Sequence, residues 1–209
     1  MESTMIKLYG SGPSRSFRAL WALEEAGLDY EYQHIKIGSS EENGSRHPSY
    51  TAINRQGKVP TLVDGELILT ESAAIVNYVA RLADKQLMPR SVAEKAEYDE
   101  FCYFILTDLE QPLWSKGKHT FILPEEHRIE QMFATVKWEF KRSIAALDKQ
   151  MEGRDYAVGN RFSGADILLA QTINWAERFE FEIPQKYLEY RDRMYQRPAC
   201  QRAVVKASP

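Results

Sequence analysis

The chain has 209 residues, of which 44% are hydrophobic, so it is long enough for two small domains and apolar enough to give them real cores. A net charge of −3 leaves no basic footprint for nucleic acid and no general attraction to anionic lipid, so neither a nucleic-acid nor a membrane partner is expected. Its two cysteines, Cys102 and Cys200, are too few for a disulfide framework and fit a reducing compartment.

No basic segment leading into an apolar run is present from Met1 to Ile6, and no apolar stretch approaches the roughly 20 residues needed to cross a bilayer. A soluble, cytoplasmic protein is the expectation. In chain order, Ile6 to Tyr9 alternates apolar and polar residues and predicts a strand. Gly10 to Pro13 ends it with turn chemistry, and Phe17, Leu20 and Trp21 then follow helical spacing up to Gly27. Tyr30 to Ile37 predicts a second strand, and Gly38 to Ser49 a loop or weak helix. Two short apolar runs, Val59 to Val63 and Leu67 to Leu69, are joined through Asp64-Gly65 as a hairpin. Glu71-Ser72 opens a helix with Ile75, Val79 and Leu82 on one face.

That order, β-α-β-α-β-β-α, predicts a mixed four-stranded sheet with helices packed on it. Residues 83–91 are charged and polar and predict a linker. Beyond them the strand signals stop. Residues 92–118, 125–151 and 163–179 each suit a helix, with shorter helical pieces to about residue 205. The reading is an α/β domain over 1–82, a linker over 83–91 and an all-α domain over 92–209.

Three places could carry chemistry. Ser11 to Ser16 lies between a strand and a helix N-terminus, where backbone N–H groups favour an anion and a hydroxyl can donate to a thiolate; the same serines could simply cap the helix. Val59-Pro60 places a proline at a strand start, either as an ordinary trans edge residue or as a cis bond that leaves Val59 open to a ligand. Glu71-Ser72 opens a helix, either as a cap or as a holder of a ligand's carboxylate and ammonium. Lys58 beside them is a surface lysine or a carboxylate partner. Ser163-Gly164-Ala165-Asp166 reads as a structural capping box. The four histidines, His34, His47, His119 and His127, have no zinc spacing and there is no Cys-x-x-Cys, so no metal site is expected.

Three segments together resemble the cytosolic glutathione S-transferase superfamily over nearly the whole chain: LYGSGPSRSFRALWALEEAGLDYE, NRQGKVPTLVDGELILTESAAIVNYV and GNRFSGADILLAQ. The resemblance implies a thioredoxin-like N-terminal domain that binds glutathione as co-substrate, followed by an all-helical domain that holds a hydrophobic electrophile. It implies a cis bond before Pro60, pairing of the Val59 backbone with the cysteinyl part of glutathione, the γ-glutamyl end held by Glu71 and Ser72, and the glycyl carboxylate near Lys58. The spacing Ser11-x-Pro13-x-Arg15 is similar to the serine-type theta and delta classes and implies Ser11 as the thiol activator, with Ser14 and Tyr9 as the other candidates. Proline at position 13, where the cysteine-type class carries cysteine, argues against mixed-disulfide chemistry. Candidates for the electrophile pocket are Tyr103, Phe104, Leu106, Trp114 and Phe121, although core packing is the favoured reading for any one of them. A homodimer and a role in detoxification are further implications. Isomerase, lyase or peroxidase activity on the same scaffold, and a non-enzymatic protein-binding role, are the alternatives.

Overall fold

In the computed structural model, which describes residues 5–83 and 87–208, four strands form one sheet in the order β2-β1-β3-β4. These are β1 (Ile6–Gly10), β2 (Tyr30–His34), β3 (Thr61–Asp64) and β4 (Leu67–Thr70). β1 runs parallel to β2 and antiparallel to β3, and β3 pairs antiparallel with β4 through the expected Asp64-Gly65 turn. The parallel β1–β2 pair needs a crossover. It is supplied by α1 (Ser16–Ala26), which ends at Gly27 in the left-handed conformation with its N–H on the Leu23 carbonyl. α2 (Pro48–Thr51) is a single turn, and α3 (Ser72–Leu82) follows β4. Leu8 and Leu62 of the sheet, Leu20 and Trp21 of α1, and Ile75, Val76 and Val79 of α3 are wholly buried and make this core. This is the mixed four-stranded sheet that the element order predicts, in the thioredoxin-like arrangement that the resemblance implies.

The helices of the second half are α4 (Val92–Phe104), α5 (Gln111–Gly117), α6 (Met132–Gln150), α7 (Gly164–Arg178), α8 (Gln185–Tyr195) and α9 (Pro198–Ala207). Between Met88 and Ser208 the described residues contain no strand. Several expected boundaries move. The second strand ends at His34, not Ile37, and Leu82 is 43% exposed where burial was expected. The helix expected over 92–118 is interrupted by a π-helical turn at Ile105–Leu109. Pro112 has no N–H to give the Asp108 carbonyl four residues back. That carbonyl instead accepts the Ser143 hydroxyl of α6 at 2.8 Å. The helix expected from 125 starts only at Met132, after an isolated 3₁₀ turn at Glu125–His127.

The chain divides into two compact units. One runs to Met88 and also takes Tyr195 onward; the other is Pro89–Met194. The sequence reading grouped the last helix with the helical domain by chain order, whereas its contacts place it with the first unit. Residues 84–86 of the expected linker, like residues 1–4, lie outside the described residues.

The placement of α9 has a visible cause in α1. Arg197 makes two hydrogen bonds to Glu25, at 2.6 and 2.9 Å. Glu24, only 7% exposed, accepts from Arg202 at 2.6 Å, Lys206 at 2.7 Å and Tyr30 at 2.5 Å. Tyr195 stacks on Phe17 and meets Trp21 edge-on. Burial pushes the Glu24 carboxyl up, but Lys206, Tyr30 and Arg202 outweigh it and hold it below the usual carboxylate range. A depressed folded value means that the contribution is full above the unfolded carboxylate pKa of about 4.3 and is lost as pH falls through the folded value. Arg202 and Lys206 are half exposed, so solvent screens part of the attraction. Glu24→Gln is expected to cost about 1–2 kcal/mol at pH 7, between the surface and buried limits. Urea denaturation should show the gap from the native protein closing below about pH 4; a gap independent of pH would refute the assignment.

Candidate functional site

Strand register brings the three candidate segments to one end of the sheet. Thr61 pairs with Tyr9 on one side and with Thr70 on the other. Gly10-Ser11 leaving β1, Val59-Pro60 entering β3 and Glu71-Ser72 leaving β4 therefore lie side by side. Three adjacent strands span about 10 Å, and an extended tripeptide spans about the same.

The first segment is tightly folded. Ser14 donates its hydroxyl to the Ser11 carbonyl at 2.6 Å, lies 2.9 Å from Ser16 Oγ and accepts the Ser16 N–H at 3.1 Å. Ser16 Oγ in turn accepts the Ser11 N–H at 3.1 Å. Ser14 and Ser16 are thus consumed in shaping the turn, while the half-buried Ser11 hydroxyl has no protein partner among the described residues. Tyr9 packs its ring on Tyr50, with centroids 5.9 Å apart. Gly10 is sterically required: a Cβ there would come within 2.8 Å of the Tyr32 ring and 2.9 Å of Ser16 Cβ. Burial pushes the Tyr32 phenol up to about 12.

The second segment contains a cis Val59-Pro60 bond. The turn before it is braced by two residues that sequence reasoning missed. Tyr50 Oη donates to the Lys58 carbonyl at 2.5 Å and sits 3.0 Å from Thr61 Oγ1; Asn54 Nδ2 donates to the same two oxygens at 2.8 and 2.9 Å. Both braces grip Lys58 and Thr61 and step over Val59. Among the described residues neither the N–H nor the C=O of Val59 has a protein partner, although a half-buried backbone ordinarily finds one. The Lys58 side chain is exposed. The aromatic Tyr50 and the Asn54-Arg55-Gln56-Gly57 turn carried the signal for this brace, but only the turn is local in sequence.

The third segment carries backbone strain. Glu71 sits at φ 66°, in the left-handed half of backbone space, at a cost of order 1–3 kcal/mol for a non-glycine residue. It precedes α3 without any side-chain cap hydrogen bond, so the capping reading of Glu71 does not hold. Its side chain is exposed, while Ser72 is 4% exposed.

The helical unit contains the other candidates. Tyr103 and Phe121 are 65% and 57% exposed; Phe104, Leu106 and Trp114 are half-buried. Phe121 meets Phe179 edge-on. Phe104 lines a cleft with Thr107, Asp108, Gln111, Glu139 and Arg142, and none of the other four reaches it. The capping box at Ser163 and Asp166 is present as expected. No group of three His, Cys, Asp or Glu able to hold a metal occurs among the described residues, and no helix among them is long and apolar enough to cross a membrane.

Comparison with known proteins places this geometry. Residues 4–81 match the family model of the glutathione S-transferase N-terminal domain, and residues 111–198 that of the C-terminal domain. A theta class glutathione S-transferase from Xanthomonas axonopodis pv. citri, solved with glutathione bound, is 32% identical with a TM-score of 0.78, covering 95% of this chain and 96% of that one. Glutathione S-transferase 1 of Schizosaccharomyces pombe is 27% identical over 214 residues, covering 91% of this chain and 90% of its own length. Glutathione S-transferase GstA of Escherichia coli O157:H7 is 26% identical over 208 residues, covering 95% and 97%. Two matched domains in the right order, on a thioredoxin-like sheet and a helical unit, make this chain a member of the glutathione S-transferase superfamily and an enzyme of that kind.

Proposed function

We propose that the enzyme conjugates the glutathione thiolate to electrophilic carbon in hydrophobic small molecules, with Ser11 as the thiolate's hydrogen-bond donor. The observation that carries this reading is the Ser11 hydroxyl, without a protein partner among the described residues, at the same sheet end as the Val59 backbone, likewise open among them, and the Glu71-Ser72 pair. Val59 N–H and C=O would pair with the cysteinyl residue, Ser72 would hold the γ-glutamyl carboxylate, Glu71 its ammonium, and Lys58 would face the glycyl carboxylate. That alignment delivers the sulfur to the Ser11 turn.

A free thiol with a pKa of about 8.5 is mostly protonated at neutral pH. A hydroxyl donor and the N-terminus of α1 both favour the anion. The thiolate attacks carbon, a C–S bond forms, and the leaving group departs with its electron pair or, in an addition, the electron pair is protonated. The thiol proton passes to solvent. Ser11 donates a hydrogen bond throughout and forms no covalent bond. Tyr103, Phe104, Leu106, Trp114 and Phe121 are the residues of the helical unit proposed to receive the electrophile.

Assays with glutathione and a chloronitrobenzene, an organic peroxide and a maleyl-type substrate test the reaction class. Thiolate addition to the aryl carbon should be the fastest of the three. Turnover of only the peroxide or only the maleyl compound would reassign the enzyme to peroxidase or isomerase chemistry. We also propose a twofold homodimer, the common closed solution for soluble oligomers. Sedimentation at micromolar concentration should give twice the chain mass of 24.1 kDa; a single-chain mass would refute it.

A further inference from the structure

An arginine in an amphipathic helix ordinarily reaches solvent. In the structure Arg18 is 0% exposed, on the buried face of α1. A wholly buried guanidinium is costly unless its charge and donors are used. Arg18 Nη1 donates to Ser72 Oγ at 3.4 Å, across from α1 to the first residue of α3. Arg18 has other interactions besides this one. Guanidinium has only donors, so at this contact the Ser72 oxygen must be the acceptor. The hydroxyl proton of Ser72 is then turned away from Arg18, and no described protein group accepts it.

We propose that Arg18 is a positioning residue for glutathione binding: it fixes the Ser72 hydroxyl as a donor aimed at the γ-glutamyl α-carboxylate. The inference rests on the assignment of Ser72 to the γ-glutamyl end. Two physical effects act together. A serine hydroxyl left to rotate can present either its proton or its lone pairs to a ligand; Arg18 occupies a lone pair and leaves the proton. A cation donating to the hydroxyl oxygen also polarises the O–H and strengthens its donation to the carboxylate. Arg18 also ties α1, which carries the Ser11 turn at its start, to α3, so the two ends of the peptide site share one buried link.

The test is discrimination, since loss of fold alone would weaken all ligands alike. Calorimetry compares glutathione with an analogue whose γ-glutamyl α-carboxylate is a carboxamide, on the native enzyme, Arg18→Met, Arg18→Lys, Ser72→Ala and the Arg18→Met/Ser72→Ala pair. The native enzyme should prefer glutathione by about 10–100-fold, the value of one charge-assisted hydrogen bond. Arg18→Met should cut that preference about tenfold, and the double variant should be no less selective than Ser72→Ala alone, because Arg18 acts through Ser72. Arg18→Lys keeps a charge on a shorter, non-planar head and should lose about three- to tenfold; it decides the matter if the Met variant does not fold. A preference unchanged in a folded Arg18 variant, or Arg18 and Ser72 effects that simply multiply, overturns the role of Arg18 alone. Equal binding of both peptides by the native enzyme overturns the Ser72 assignment and this proposal with it.

Discussion

Ser11→Ala is expected to raise the pKa of the bound glutathione thiol toward that of the free peptide and to slow the thiolate-dependent step about ten- to hundredfold. In the proposed site the hydroxyl donates mainly to the thiolate, so its removal would forfeit one hydrogen bond to a charged group, about 1.5–3 kcal/mol, in the ionised state only. Glutathione affinity should fall much less, since the Val59 backbone, Glu71 and Ser72 are unchanged. The three hydroxyl candidates make different forecasts. Ser14 is committed to the Ser11 carbonyl and the Ser16 N–H, so Ser14→Ala should loosen the turn and lower stability. If Ser11 is the donor, Tyr9→Phe, which keeps the ring on Tyr50, should leave the thiol pKa nearly unchanged. Titrating the ultraviolet absorbance of the bound thiolate in all three variants decides between them. The sign is fixed: a lost donor to the anion moves the titration to higher pH. A titration that moves only in Ser14→Ala or Tyr9→Phe would transfer the role to that residue, and no movement in any would remove hydroxyl activation from this turn.

Local chemistry in the sequence shows much of this architecture. Asp64-Gly65 between two apolar runs gives the hairpin, Gly27 gives the end of α1, and Ser163 with Asp166 gives the start of α7. Each of these is settled within four or five residues. Boundaries set by distant partners are another matter. The π-helical turn at Ile105–Leu109 depends on a proline and on a serine 35 residues away that takes the freed carbonyl. α9 looks like one more amphipathic helix, and its place beside α1 depends on Arg197, Arg202 and Lys206 finding two carboxylates more than 170 residues earlier. The site divides in the same way. Ser11, Val59-Pro60 and Glu71-Ser72 stand at element ends and are visible as such. Their braces, Tyr50, Asn54 and Arg18, are ordinary residues until the fold brings them to Lys58, Thr61 and Ser72.

Asp166→Ala is expected to cost more than a helix cap does. A lost cap alone costs about 0.5–2 kcal/mol. Asp166, however, is 0% exposed and accepts four hydrogen bonds: Ser163 N–H at 2.8 Å, Ser163 Oγ at 3.0 Å, Ala157 N–H at 2.8 Å and Tyr190 Oη at 2.6 Å. Burial pushes its carboxyl up, while these donors pull the other way. Alanine would leave the N–H of Ala157 and the hydroxyl of Tyr190 without their acceptor in the interior. Each buried donor left unmade costs about 1–3 kcal/mol, so a total near 3–5 kcal/mol is expected. At about 2–4 °C per kcal/mol for a chain of this size, the melting temperature should fall by roughly 6–20 °C. Asp166→Asn keeps one carbonyl oxygen for part of the set and should lose less. The expected readout is split between the two units. Every proposed glutathione ligand lies in the first unit and Asp166 lies in the second, so the KM for glutathione of the folded variant should stay near the native value. Calorimetric melting alongside steady-state kinetics below the transition checks both halves. A small melting shift with a large rise in KM would take Asp166 out of the framework and put it into the chemistry.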